Sequence, residues 1–217
     1  MERTARNQQT YTREDITDVE ETITTGDFKR VVPAILAANG GRTPCVIKFP
    51  RKKSLLLSKW VSTEFDEEPW SAEIMHPIAP KHVPEFLGTY QGRRPQTEGY
   101  IFARVIGSPL DEALDLIELE DLLRFREALE RLMSHGIYPE PETLASNNLL
   151  VGTLPGSQGE QNIVMAEARF RTAEEQSQST DNDAKPKRDW EEALVLGINA
   201  RLEALEIICN AGMTEEI

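Results

Sequence analysis

Residues 31–49 read VVPAILAANGGRTPCVIKF and carry the clearest structural signal in the chain. A β-branched start at Val31 leads to a glycine-rich turn at 39–41, and a second apolar run then ends in Lys48 and Phe49. Two strand-like runs on either side of Asn-Gly predict an antiparallel hairpin. The hairpin therefore indicates a first half built around a β-sheet.

Helical and strand patterns follow this hairpin along the chain. Apolar residues at helical spacing cover 54–65, and a further helical piece is expected to begin at Pro69 and end at Pro77. Two more strands are expected over 83–90 and 99–106. These elements complete a first half of strands with helical segments.

The second half is expected to be mostly helical. Ser108 and Pro109 predict a helix start, and a longer helix near Leu119 is ended by Gly136. Short strands are predicted on either side of a loop over 152–159, and a last helix is predicted from position 189. Strands first, then helices enclosing a β-pair, predict an α+β fold in two layers or lobes.

Composition restricts the partners. The 217 residues carry a formal charge of −13, which argues against nucleic acid or an anionic membrane as the main partner. The charge leaves a nucleotide open, because a phosphate site needs only a few local cations and backbone N–H groups. The polar start of the chain is unlike a secretory signal, so a cytoplasmic location is expected.

Residues 23–31 read ITTGDFKRV, and this run resembles the glycine-rich loop of protein kinases. Gly26, Phe28 and Val31 match the family pattern, whereas Thr24 and Lys29 replace its outer glycines. Lys29 can instead add a positive charge near a phosphate. The resemblance implies that the three matching residues contact a nucleotide.

Lys48 resembles the strand lysine with which kinases hold the α- and β-phosphates. In that family a helix glutamate pairs with the lysine, but the aligned position here is Ser71. Glu68 lies one turn earlier on the same face and is the favoured partner. Glu73 lies off that face, and Glu64 and Glu67 are further options.

Residues 99–110 resemble the last strand of a kinase small lobe, the hinge and the start of the next helix. The resemblance implies that Phe102 backs an adenine pocket. It also implies that backbone groups from Ala103 to Val105 bond the base.

The catalytic loop is the most altered part of the resemblance. Asn148 and Glu167 take the places of the two magnesium ligands, whereas Thr143 stands where kinases have the loop aspartate. Glu140 or Glu142 can replace that aspartate only if the loop is rebuilt.

From Ile23 to Arg169 the chain thus resembles the protein-kinase-like superfamily, and its small size resembles the YrbL-like proteins named for the PhoP regulatory network. The implied fold has two lobes, a small β-rich one over 21–106 and a truncated, mostly helical one over 107–217. A flexible arm over 1–20 and a disordered stretch over 171–187 are expected from composition.

Three functions remain open at this level. The favoured one is a pseudokinase or regulatory protein that binds ATP and Mg²⁺ between the lobes, with weak or no phosphotransfer. Active phosphotransfer is the second. The third is an α+β scaffold that binds a protein partner and no nucleotide.

Overall fold

The computed structural model describes residues 9–23, 29–38, 40–50, 58–93, 98–110, 112–113, 116–144 and 148–173. Within these ranges the strands are β1 (Thr10–Tyr11), β2 (Ile16–Thr17), β3 (Lys29–Ala38), β4 (Gly41–Pro50), β5 (Phe86–Gln91), β6 (Glu98–Ala103), β7 (Ile106–Pro109), β8 (Ile137–Pro139), β9 (Leu149–Thr153), β10 (Asn162–Met165) and β11 (Phe170–Thr172). The helices are α1 (Ser58–Met75) and α2 (Leu119–Ser134). This content confirms a mixed α+β chain, with more strands than helices.

The predicted hairpin is confirmed as β3 and β4, which are neighbours in a six-stranded sheet of the order β1-β5-β6-β4-β3-β2. Side chains alternate along β4, because successive residues of a strand point to opposite faces. Cys45 and Ile47 enter one apolar cluster, whereas Val46 packs against another on the opposite face. Lys48 shares the face of Val46.

Part of the expected flexible arm belongs to this sheet. β1 pairs in parallel with β5, and β2 pairs antiparallel with β3. Tyr11 is buried against the sheet, so an aromatic side chain secures a segment that reads as polar overall. A Cβ at Gly88 would lie 2.3 Å from the carbonyl oxygen of Gln9, so glycine permits this close approach.

Helix α1 is one continuous helix, although two pieces separated at Pro69 were expected. A proline inside a helix removes one backbone hydrogen bond and crowds the preceding turn. Glu68, Ser71, Ala72 and Met75 are buried along the same stretch. Burial of this face outweighs the local preference of proline.

The expected helix start at Ser108 is wrong, because Ile106–Pro109 forms β7 beside β9. Pro109 ends the strand, where its missing N–H is tolerated. The described part of 107–173 therefore holds one α-helix and five short strands, instead of being mostly helical. The expected helix from position 189 lies outside the described residues, as does the stretch 174–187.

The predicted helix ending at Gly136 is confirmed as α2, and Gly136 has a positive φ of 73° beyond its end. The predicted β-pair around 152–159 is confirmed as β9 and β10. One apolar cluster joins Met75 of α1, Phe102 of β6, Leu132 of α2 and Met165 of β10. The two halves of the described chain thus share a core.

None of the helices in the described residues is long and apolar enough to cross a bilayer.

Candidate functional site

A buried ion pair joins the sheet to helix α1. Lys48 on β4 is only 5% exposed, and its ammonium group donates a hydrogen bond to Oε1 of Glu68. The same Nζ atom donates to the carbonyl oxygen of Ala166 at 2.8 Å and lies 4.8 Å from the ring centre of Phe102. Lys48 is therefore held by three separate segments of the chain.

Glu68 is the helix glutamate that contacts Lys48. Its Oε1 atom accepts from Lys48, and its Oε2 atom lies 3.2 Å from the ammonium nitrogen of Lys29. Glu67 and Glu73 are only partly buried, and the side chain of Glu64 lies outside the described part of the chain. The carboxylate thus bridges two lysines.

Lys29 extends this chain of charges to Glu167. The Lys29 ammonium nitrogen lies 2.6 Å from Glu167 Oε1, and a guanidinium nitrogen of Arg169 lies 3.8 Å from Glu167 Oε2. The side chains of Lys29 and Glu167 are 13% and 15% exposed. Positive and negative groups therefore alternate from Lys48 through Glu68 and Lys29 to Glu167.

Burial and pairing act in opposite directions on this cluster. Burial lowers the pKa of Lys48, and the Glu68 carboxylate opposes this shift. Burial also acts to raise the pKa of Glu68, but the nearby Lys48 and Lys29 ammonium groups outweigh it and lower that pKa. The alternation of charge keeps the buried carboxylate ionised.

Two of the residues predicted to surround an adenine base, Val31 and Phe102, lie on the same sheet face as Lys48. Val31 is directly opposite Lys48 on β3, and Phe102 is opposite Val46 on β6. Both side chains are buried, and Val105 is half-buried. Gly26 and Phe28 lie outside the described residues, so their predicted contacts stay predictions.

Two backbone donors of the predicted hinge already have partners. The N–H of Ala103 donates to the carbonyl oxygen of Glu85 at 2.9 Å, and the N–H of Arg104 donates to that of Pro44 at 3.0 Å. Neither N–H can bond a base while these bonds persist. The backbone of Val105 is the better candidate within this segment.

The predicted magnesium ligands are close along the backbone, because the carbonyl oxygen of Asn148 accepts from the N–H of Ala166 at 2.8 Å. Magnesium needs several oxygen ligands in a near-octahedral arrangement. The Glu167 carboxylate, however, faces Lys29 and Arg169 through its two oxygens. In the described residues there is also no group of three or more His, Cys, Asp and Glu side chains that could hold a metal. This arrangement does not fit Mg²⁺ at Glu167.

Thr143, at the position of the kinase loop aspartate, has a structural contact. It is 1% exposed, and its hydroxyl donates to the carbonyl oxygen of Arg169 at 3.1 Å while accepting from the N–H of Arg169 at 3.0 Å. Glu140 faces Arg171 at 3.3 Å, and the side chain of Glu142 lies outside the description. Thr143 and Glu140 therefore bind the 169–171 segment, and the position of the kinase aspartate carries a hydroxyl group in place of a carboxylate.

Sequence reasoning missed His82 and the ionic contacts of Lys29. His82 is buried; its Nδ1 atom lies 2.8 Å from the carbonyl oxygen of Ile163, and its own carbonyl accepts from the N–H of Met165. These bonds join the segment after α1 to β10, just before Glu167. Lys29 was predicted to add a positive charge near a phosphate, but its contacts with Glu68 and Glu167 were not predicted. A lysine in a loop pattern that expects glycine is the signal that could have pointed to them.

The chain matches no known protein-family model, and no curated protein resembles it at a significant level.

Proposed function

We propose that the chain is a divergent kinase-like protein that binds a nucleotide beside the Lys48–Glu68 pair, with weak or no phosphotransfer. The observation that carries this proposal is the buried strand lysine, held by a helix carboxylate and by the segment that follows β10. Kinases use a lysine–glutamate pair of this kind to place the nucleotide phosphates. The pair costs desolvation energy, and a ligand-binding role gives a reason to keep it.

The sheet face beside this pair suits an adenine ring. Val31 and Phe102 supply apolar surface on the face that carries Lys48. Val31, Phe102 and Ala103 are all buried, so the base would enter beside Val105, the half-buried residue among the predicted contacts. The phosphates would then extend toward the lysines.

The chemistry and the contacts of Thr143 support weak or absent phosphotransfer. A general base must lie within hydrogen-bond reach of the proton that it removes. Thr143 has no carboxylate, and its hydroxyl is used by the backbone of Arg169. Any transfer would then depend on positioning and charge stabilisation alone.

Thermal unfolding with increasing ATP tests the proposal on the wild type, Lys48→Met and Lys81→Met. Lys81 is the control, because it is half-exposed and pairs with Glu160 at the surface. A ligand that binds only the folded state raises the midpoint, with a gain of about 2.7 kcal/mol at a hundred times Kd. We expect the shift in the wild type and Lys81→Met and its loss in Lys48→Met.

Each midpoint is compared with that of the same variant without ATP, so a change in intrinsic stability does not affect the reading. If Lys48→Met does not fold, Lys48→Arg keeps the charge and should bind ATP more weakly. Equal shifts in all variants would place the nucleotide elsewhere. No shift with millimolar ATP or GTP would contradict the proposal and favour an α+β scaffold that acts through a protein partner.

A further inference from the structure

Lys29 occupies the space between two carboxylates. Its ammonium nitrogen lies 3.2 Å from Glu68 Oε2 and 2.6 Å from Glu167 Oε1. The two glutamates come from α1 and from the segment after β10, so one lysine side chain connects both. A positive charge between facing carboxylates is what a bound cation would supply.

A divalent metal would have to displace this lysine. Magnesium binds carboxylate oxygens at about 2.0–2.1 Å, closer than an ammonium group approaches them. Moving Lys29 away would leave a largely buried ammonium group without its partners, which is costly. The cluster therefore favours the lysine over a metal at this position.

The two lysines retain hydrogen-bonding capacity for an anion. An ammonium group has three N–H donors. Glu68 and Glu167 take two donors of Lys29, and Glu68 and Ala166 take two of Lys48. Because the Lys48 side chain is only 6% exposed and that of Lys29 is 13% exposed, the remaining donor of Lys29 is the more accessible of the two to a phosphate oxygen.

We propose that Lys29 is a tethered cation that takes the place of a divalent metal, and that the site binds a polyphosphate free of metal through Lys29 and Lys48. The ligand half of this inference rests on the proposed nucleotide function. The tethered-cation half rests only on the contacts of Lys29. Magnesium then competes with Lys29 and does not assist the ligand.

The test compares the wild type, Lys29→Met and Lys81→Met as full-length chains. The first measurement is Mn²⁺ binding without nucleotide, by electron paramagnetic resonance. Lys29→Met should bind Mn²⁺ at least about ten times more tightly than the other two proteins, because the Glu68 and Glu167 carboxylates lose their shared cation. Equal Mn²⁺ binding in the three proteins would overturn the tethered-cation half.

The second measurement is the ATP-dependent shift of the unfolding midpoint, with EDTA or with excess Mg²⁺. The wild-type shift should be as large in EDTA as in Mg²⁺, whereas the shift of Lys29→Met should require Mg²⁺. A wild-type shift that disappears in EDTA would overturn the inference and leave the proposed nucleotide site standing. No shift under either condition would overturn the proposed function, and Mn²⁺ binding would still decide the role of Lys29. If Lys29→Met does not fold, Lys29→Gln replaces it in both measurements.

Discussion

Glu68→Ala removes a carboxylate that contacts both Lys48 and Lys29. The pair is well shielded, because the side chains of Lys48 and Glu68 are 6% and 5% exposed. Without the carboxylate, the Lys48 ammonium group keeps a carbonyl contact and an aromatic neighbour but loses its ionic partner. The substitution thus leaves a buried, uncompensated positive charge.

The expected cost follows from this burial. Removing one partner of a buried ion pair costs about 3–5 kcal/mol. In a chain of this size each kcal/mol lowers Tm by about 2–4 °C, so Tm should fall by about 6–20 °C. Dissolved salt should change this loss of stability little, since the two side chains are almost fully shielded from bulk water.

Urea denaturation and thermal unfolding without nucleotide measure the change. Glu127→Ala on the exposed side of α2 is the control and should stay within about 0.5 kcal/mol of the wild type. The double variant Lys48→Met/Glu68→Leu should be more stable than Glu68→Ala, because apolar replacement of both partners removes the unpaired charge. The reasoning would be refuted if Glu68→Ala unfolded within about 0.5 kcal/mol of the wild type.

Three further predictions test the surroundings of the site by urea denaturation. Thr143→Val should cost about 1–3 kcal/mol, because the backbone N–H and carbonyl of Arg169 lose their hydroxyl partner; a cost near zero would contradict this. Gly107→Ala should cost about 3 kcal/mol, since its Cβ would lie 2.0 Å from a carbonyl oxygen of β9, whereas Gly41→Ala has room and serves as the control. Burial lowers the pKa of His82 in the folded protein. Below about pH 6.5 the unfolded chain therefore binds more protons at this residue than the folded chain does, and the folded state loses stability as the pH falls through the folded pKa. Unfolding followed from about pH 7.5 to 5.5 should show this loss, and the loss should be smaller in His82→Gln.

Several elements could be predicted because their signals are local. Asn-Gly between two apolar runs specified the β3–β4 hairpin, and an apolar stripe followed by Gly136 specified α2. The element around Pro69 was predicted as two helices, because proline is a strong local signal and the burial of the surrounding face is not visible in a sequence. The burial of Tyr11, which holds the expected arm to the sheet, is likewise not visible in the sequence.

The candidate site was predictable only in part. The sequence predicted Lys48 on a strand that is followed by a helix. It also favoured Glu68 over the neighbouring helix glutamates as the partner of Lys48. The contact between Lys29 and Glu167 could not be predicted, since it joins the start of β3 to the segment after β10.

By itself, the sequence determined the hairpin, strands β5, β6, β9 and β10, and α2, because backbone preference and periodicity act over a few residues. Only the tertiary structure decided which charges meet. Lys48 contacts Glu68 across 20 positions of sequence, and Lys29 contacts the same carboxylate across 39. Such pairs form because burying one charged group requires an opposite charge beside it, and that neighbour is set by how the sheet, helix and later segment pack together.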